Sequence, residues 1–141
     1  MTTLPETKAC KVNIENEWLT ISFNQPEKRN ALTSELTDDI KNIFDAARDD
    51  LGVRGVTMRG EGGIFCAGGD LKMFKTGFQG GEQGMKDVEE ASALTGAFFD
   101  MINSYPKPVV MLAEGAAMAG GLGMLCACLL YTSDAADDDT R

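Results

Sequence analysis

Two turns built almost wholly of small residues constrain this chain more than anything else in it. The first, Phe65-Cys66-Ala67-Gly68-Gly69-Asp70, follows a short apolar run. The second, Gly115-Ala116-Ala117-Met118-Ala119-Gly120-Gly121, follows another, and a helix signal comes after each. Glycine admits positive φ and lets a neighbouring main chain or a ligand approach closely. Such a strand-to-helix turn also leaves N–H groups unpaired at the helix start, where partial positive charge favours anions. Two of them brought together could hold one developing oxyanion between two amides. Taken singly, each reads more simply as a tight connection with no ligand.

The text around the turns alternates between strand and helix periods. Alternating apolar positions over 11–23 predict a β-hairpin that reverses at Glu15-Asn16-Glu17, with Leu19, Ile21 and Phe23 on the return strand. Pro26 breaks that strand because it has no N–H to donate. A helix is predicted over 33–49, capped by Thr33 or Ser34, with Leu36, Ile40, Ile43, Phe44 and Ala47 along one face. A short strand follows over 53–59, a turn at 60–63, and a brief helix at 71–74. Gly77, Gly80, Gly81 and Gly84 predict a mobile surface loop over 76–84. Met85, Val88, Ala91, Leu94, Phe98 and Ile102 then recur at three- and four-residue steps, so a second helix is expected with these positions in the core. Tyr105-Pro106-Lys107-Pro108 stops it, 109–113 has buried-strand length, and a last helix begins at 122–127. The order ββ-α-β-α-β-α is an α/β pattern.

Composition narrows the chemistry. At 141 residues, with 43% apolar and 25% charged, the chain has ordinary globular make-up for one domain. It contains no histidine, which excludes Ser-His-Asp and Cys-His nucleophiles and every His-ligated metal. Cys10, Cys66, Cys126 and Cys128 share no framework spacing, so reduced thiols are expected and no metal site. Thirteen Lys and Arg against 22 Asp and Glu leave a charge of -9, which argues against nucleic acid as a partner. No apolar run nears the ~18 residues that span a bilayer, and residues 1–6 lack the form of a signal peptide. A cytoplasmic protein with no membrane partner is the expectation.

From Cys128 the text changes character. Cys128 to Asp137 match the translation of an adapter used in transposon-based sequencing libraries. Residues 128–141 are therefore expected to be a non-native tail and 1–127 the domain proper; the other reading is a native, solvated acidic tail. Without 128–141, which carry four Asp and one Arg, the charge of -9 becomes -6.

Four segments together resemble one family. Asn24-Gln25-Pro26-Glu27-Lys28-Arg29-Asn30-Ala31-Leu32, Phe65-Cys66-Ala67-Gly68-Gly69-Asp70-Leu71, Pro106-Lys107-Pro108-Val109-Val110 and Ala117-Met118-Ala119-Gly120-Gly121 stand in the order and spacing of the enoyl-CoA hydratase/isomerase (crotonase) family. Each motif alone is weak; four in register are specific. The resemblance spans about 11–127 and implies an α/β spiral of ββα units of the ClpP/crotonase type, truncated, since family members are longer. It implies an acyl-CoA thioester substrate, with coenzyme A as part of the substrate and no separate cofactor, and a parent protein that is a homotrimer or homohexamer. The oxyanion-hole amides would be those of Gly69 and Gly120. Lys28, Arg29 and Ala31 would lie in the loop that contacts coenzyme A, and Ala67, Gly68, Asp70 and Leu71 in the turn against the substrate. Lys28 and Arg29 are otherwise solvated loop charge, and Lys72 and Lys75 are weaker phosphate candidates.

One departure matters. Hydratases of the family carry a catalytic glutamate three residues after the second oxyanion glycine, and that position is Gly123. Glu27, Glu61 and Glu114 are candidate carboxylates, none selected as base by spacing, and Asp70 reads as a cap or orienting group. Hydratase or isomerase chemistry follows from the family; thioester hydrolysis, decarboxylation and dehalogenation stay open, as does an incompletely folding fragment that binds no acyl-CoA. Two other classes fail on the residues. Gly63 to Gly68 fit a phosphate loop, but Gly69-Asp70 stand where that loop needs Lys-Ser/Thr. A serine peptidase of related architecture would need its nucleophile where Met118 and Ala119 stand.

Overall fold

A computed structural model describes residues 2–128 and, as backbone, Leu130–Ser133. The chain opens with antiparallel strands β1 (Cys10–Glu15) and β2 (Trp18–Phe23), in register from Cys10 opposite Phe23 to Glu15 opposite Trp18. Asn16 and Glu17 close the hairpin at φ 53° and 63°, the positive values that a two-residue turn needs to match strand twist. Strand β3 (Gly55–Gly60) pairs parallel with β2. Beyond it lie β5 (Val109–Ala113) and β7 (Leu130–Ser133), also parallel, so the sheet runs β1-β2-β3-β5-β7. A separate pair, β4 (Ile64–Cys66) and β6 (Ala116–Ala117), forms a small parallel sheet.

Helix α1 (Ser34–Ala47) buries Leu36, Ile40, Ile43, Phe44 and Ala47, the stripe its periodicity predicts, and Thr33 caps it by accepting from Leu36 N at 3.2 Å. Asp39, also buried on α1, accepts from Lys8 N and Ala9 N at 2.8 and 2.6 Å and ties the leading segment down. The end of α1 is held from the other side of the chain. Tyr105 Oη donates to Phe44 O at 2.6 Å, and Lys107 Nζ donates to Ala47 O and, at 2.7 Å, to Asp50 O. Unpaired helix carbonyls are thereby satisfied by the residues that precede β5.

The structure corrects the sequence in three places. Residues 76–84 are not a mobile loop: α2 (Leu71–Gln79) and α3 (Gly81–Asn103) meet at Gly80 as a helical hairpin. The glycines serve contact between the two helices. A Cβ on Gly84 would lie 2.0 Å from Gly77 O, and one on Gly77 would lie 2.4 Å from Val88 Cγ2. Second, Met85, Ala91 and Leu94 do not join the core; Val88, Phe98 and Ile102 do, while Ala91 is half-buried and Leu94 is 63% exposed. Third, α4 (Gly120–Ala127) starts at the second small-residue turn itself rather than after it.

The segment from 128 onward supplies β7, and Cys128 is buried with Sγ donating to Val109 O at 2.8 Å. Backbone pairing speaks to conformation and the adapter match to provenance, so neither bears on the other. Residues 1, 129 and 134–141, with most of the tail expectation, lie outside the described residues. Among the described residues no helix is long and apolar enough to cross a membrane.

Two alanine substitutions separate packing from propensity. Alanine in a helix interior gains ~1 kcal/mol over glycine, and Gly96, mid-α3, has nothing within 4 Å of its Cβ position. Gly96→Ala is expected to stabilise by up to ~1 kcal/mol. Gly84→Ala drives a methyl into the Gly77 backbone, where overpacking costs ~1–3 kcal/mol and outweighs that gain. Urea midpoints should place Gly96→Ala above and Gly84→Ala below the parent; the reverse order would refute the hairpin contact.

Candidate active site

Strands β4 and β6 decide where the two small-residue turns go. Ile64 pairs with Ala116 and Cys66 with Ala117, so the turns leave their strands side by side. Met118 N donates to Cys66 O at 3.0 Å and extends the contact beyond the ladder. Gly68, at φ +108°, sits where the turns touch: a Cβ there would lie 2.9 Å from Ala119 Cβ and 3.0 Å from Met118 O. Only glycine combines that φ with that approach. Ala119 answers at φ 48°, ψ -114°, a strained setting for a residue with a Cβ, which typically costs ~1–3 kcal/mol.

Two peptide planes are then locked. In a trans peptide the carbonyl and the next residue's N–H point in opposite directions. Gly68 O accepts from Leu32 N at 2.7 Å, so Gly69 N–H is turned the other way. Ala119 O accepts from Gly123 N at 3.0 Å inside α4, so Gly120 N–H points back out of the helix start. The Gly120 Cβ position is 3.7 Å from Gly69 N, which puts both amides on one gap. Among the described residues neither N–H donates to a protein acceptor. Leu32 and Phe74 flank the gap with apolar surface; Leu32 Cδ1 lies 2.9 Å from the Gly120 Cβ position and Phe74 Cε2 2.6 Å from that of Gly69.

The loop over 25–32 is fixed by Asn30, which is fully buried at φ 50°. Its Oδ1 accepts from Gln25 N at 2.9 Å, and its Nδ2 donates to Glu61 O and Ile64 O at 3.0 and 2.8 Å. Ala67 N donates to Arg29 O at 3.0 Å. The loop that supplies Leu32 N is thus clamped to the strand that leads into the first turn.

Two cavities open on either side of Gly69. One, of about 550 Å³, is lined by Lys28, Arg29, Ala31, Ala67, Gly69, Asp70 and Leu71, together with Lys72 and Met118. Three cations against Glu27 and Asp70 leave it net positive. The other, of about 310 Å³, reaches Gly120 along Leu32, Met73, Phe74, Ala91, Thr95 and Ala119. Gly68 lines neither, being buried at the contact between the turns. Asp70 borders both but caps α2, its Oδ1 accepting from Lys72 N and Met73 N at 3.1 and 3.3 Å. Lys75 is exposed and lines neither cavity. Of the candidate carboxylates, Glu27 lies at the rim of the basic cavity, Glu61 pairs with Arg59 at 2.9 Å, and Glu114 is exposed at the end of β5.

Burial pushes the Cys66 thiol up to about 11, against a smaller opposing hydrogen bond from Gly68, and pushes Cys10 to about 12, with Asp39 adding to it. Both thiols are neutral near pH 7, so Cys66 beside the turn is packing rather than nucleophile. Among the described residues no three His, Cys, Asp or Glu side chains are grouped to hold a metal ion.

The sequence model of the enoyl-CoA hydratase/isomerase family matches residues 18–130. The chain belongs to that family. A Bacillus subtilis protein named "Probable enoyl-CoA hydratase" is 36% identical over 99 residues, covering 70% of this chain and 36% of its own length. A Thermus thermophilus relative is 34% identical over 124 residues, covering 87% of this chain and 48% of its own. AtuE of Pseudomonas aeruginosa superposes with a TM-score of 0.78 at 28% identity, over 89% of this chain and 48% of that one. The chain therefore spans about half or less of the relatives it matches. The crotonase fold expected from the four motifs holds.

The cavity on the Gly120 side has no local sequence signal, because it forms where Met73 and Phe74 of α2 meet Ala91 and Thr95 of α3 and the second turn. Met73, Phe74, Gly77 and Phe78 do carry a helical i, i+3, i+4 signal that continues α2 beyond the brief helix expected at 71–74. Asn30 lies within the first of the four family segments, and nothing in the sequence marks it as a buried clamp.

Asn30→Asp tests the clamp. It keeps shape but sets an acceptor against Glu61 O and Ile64 O, and an unsatisfied buried group costs ~1–3 kcal/mol, more when charged. The buried carboxyl would have its pKa raised above the unfolded value, because burial and facing carbonyls disfavour the anion. The variant should lose ~3 kcal/mol relative to the parent at pH 7 and less near pH 4, where protonation restores one donor. Paired urea melts at the two pH values check this; a pH-independent difference would refute it.

Proposed function

We propose that this chain carries the thioester-polarising site of an acyl-CoA-processing enzyme of the enoyl-CoA hydratase/isomerase type. The reading rests above all on two N–H groups, Gly69 and Gly120, that face one gap with no protein acceptor among the described residues. In it the thioester oxygen accepts both, and the amides meet charge as it moves onto that oxygen during enolate formation. Each such preorganised donor is worth ~3 kcal/mol of barrier. Leu32 and Phe74 keep water from the gap, which strengthens both bonds. The start of α4 adds partial positive charge in the same place.

Lys28, Arg29 and Lys72 suit the phosphates of coenzyme A, which enters as part of the substrate. The Gly120 side takes the acyl group. Among the described residues the carboxylate that lines that cavity is Asp70, whose Oδ1 is held by the α2 cap. The part these residues play is charge stabilisation and positioning, with Gly123 offering no group to activate water.

Binding of acetoacetyl-CoA tests this, since the enolate fraction of the bound ester is read by ultraviolet absorbance. Gly120→Pro deletes the amide at the first helical position, where proline is tolerated. Gly120→Ala keeps the amide but sets a methyl 3.7 Å from Gly69 N, on the gap itself, besides displacing the end of the Leu32 side chain. The parent should enrich the enolate, and Gly120→Pro should lose ~100-fold in that enrichment. Equal enrichment in a folded Gly120→Pro protein would sink the proposal.

A further inference from the structure

The position three residues past Gly120 is not simply empty. A Cβ on Gly123 would lie 3.0 Å from Phe99 Cε2 and 3.2 Å from Cζ. The Phe99 ring thus occupies the space that a side chain from this turn of α4 would enter. Phe99 is half-buried and packs against the core. Ala91 and Thr95 line the cavity on the Gly120 side, and Phe99 is the next residue on that i, i+4, i+8 row of α3. Gly120 and Gly123 stand on the same face of α4, one turn apart. Neither Phe99 nor Gly123 lines the cavity itself; their contact lies one helical turn beyond its lining residues Thr95 and Gly120.

We infer that the Phe99 ring seated on Gly123 is the floor of the acyl pocket and sets its specificity for short, apolar acyl groups. The inference rests on the function proposed above and deepens it. The space, about 310 Å³, is at the bottom of the ~300–1,000 Å³ range of small-molecule sites. A longer alkyl chain has a poor alternative path. The adjoining cavity that shares Leu32, Met73, Ala91 and Thr95 is rimmed by Asp38, Asp87 and Glu90, and an alkyl chain laid there would strip water from carboxylates.

The measurement is the ratio of dissociation constants for butyryl-CoA and decanoyl-CoA, by calorimetry, in the parent chain, Phe99→Ala and Phe99→Leu. Thermal melts of each accompany it. The parent should bind butyryl-CoA at least tenfold more tightly than decanoyl-CoA. Phe99→Ala should erase or invert that preference, and Phe99→Leu, which keeps most of the packing, should fall between. A ratio that stays put in folded Phe99→Leu or Phe99→Ala, while both esters bind, overturns the floor and leaves the proposed function standing. A folded parent that binds neither ester overturns the proposed function, and the floor with it.

Discussion

The hydrogen bond from Leu32 N to Gly68 O sets the direction of everything that follows in the first turn. Without it the 68–69 peptide could rotate, and Gly69 N–H would lose its fixed aim. The bond exists because the loop over 25–32 is held, and the loop is held because Asn30 satisfies three separate backbone groups from a buried, positive-φ position. The second turn needs less. Its peptide plane is fixed by α4 itself through Gly123 N and Ala119 O. Two amides reach one gap by different means, one by a side-chain clamp and one by helix geometry.

That arrangement concentrates cost in a few residues. Ala119 holds an unfavourable backbone conformation, Gly68 admits no side chain, and both are tolerated because β4 and β6 pair immediately upstream. A preorganised site of this kind avoids reorganisation when charge develops, which is where electrostatic catalysis has its advantage. The basic cavity on one side and the apolar one on the other are two chemically distinct spaces that meet at Gly69, and in the proposed function they match the two ends of a thioester.

Much of this was legible in the sequence. The hairpin, α1 with its five-residue stripe and the two small-residue turns follow from period and turn chemistry alone. The four motifs in register carried the family and the fold. What was not legible was close backbone contact. Gly77 and Gly84 look like flexibility in a sequence and are interhelical packing in the fold, since nothing local says that another main chain lies 2.0 Å from a would-be Cβ. Leu94 and Met85 fit the helical period of α3 yet face outward, because that period fixes which residues share a face and not what covers the face. The Phe99–Gly123 contact joins two helices 24 residues apart in the numbering and leaves no mark in either one.

The convergence of the two amides is tested most directly by amide resonances in a titration with acetoacetyl-CoA, with free coenzyme A as the reference. If both N–H groups take up one oxygen, Gly69 and Gly120 amide protons move downfield together with the thioester and neither moves with coenzyme A, while Lys28 and Arg29 respond to both ligands. Movement at Lys28 and Arg29 with no response at Gly69 and Gly120, or a response at only one of the two glycines, would contradict a shared oxyanion site.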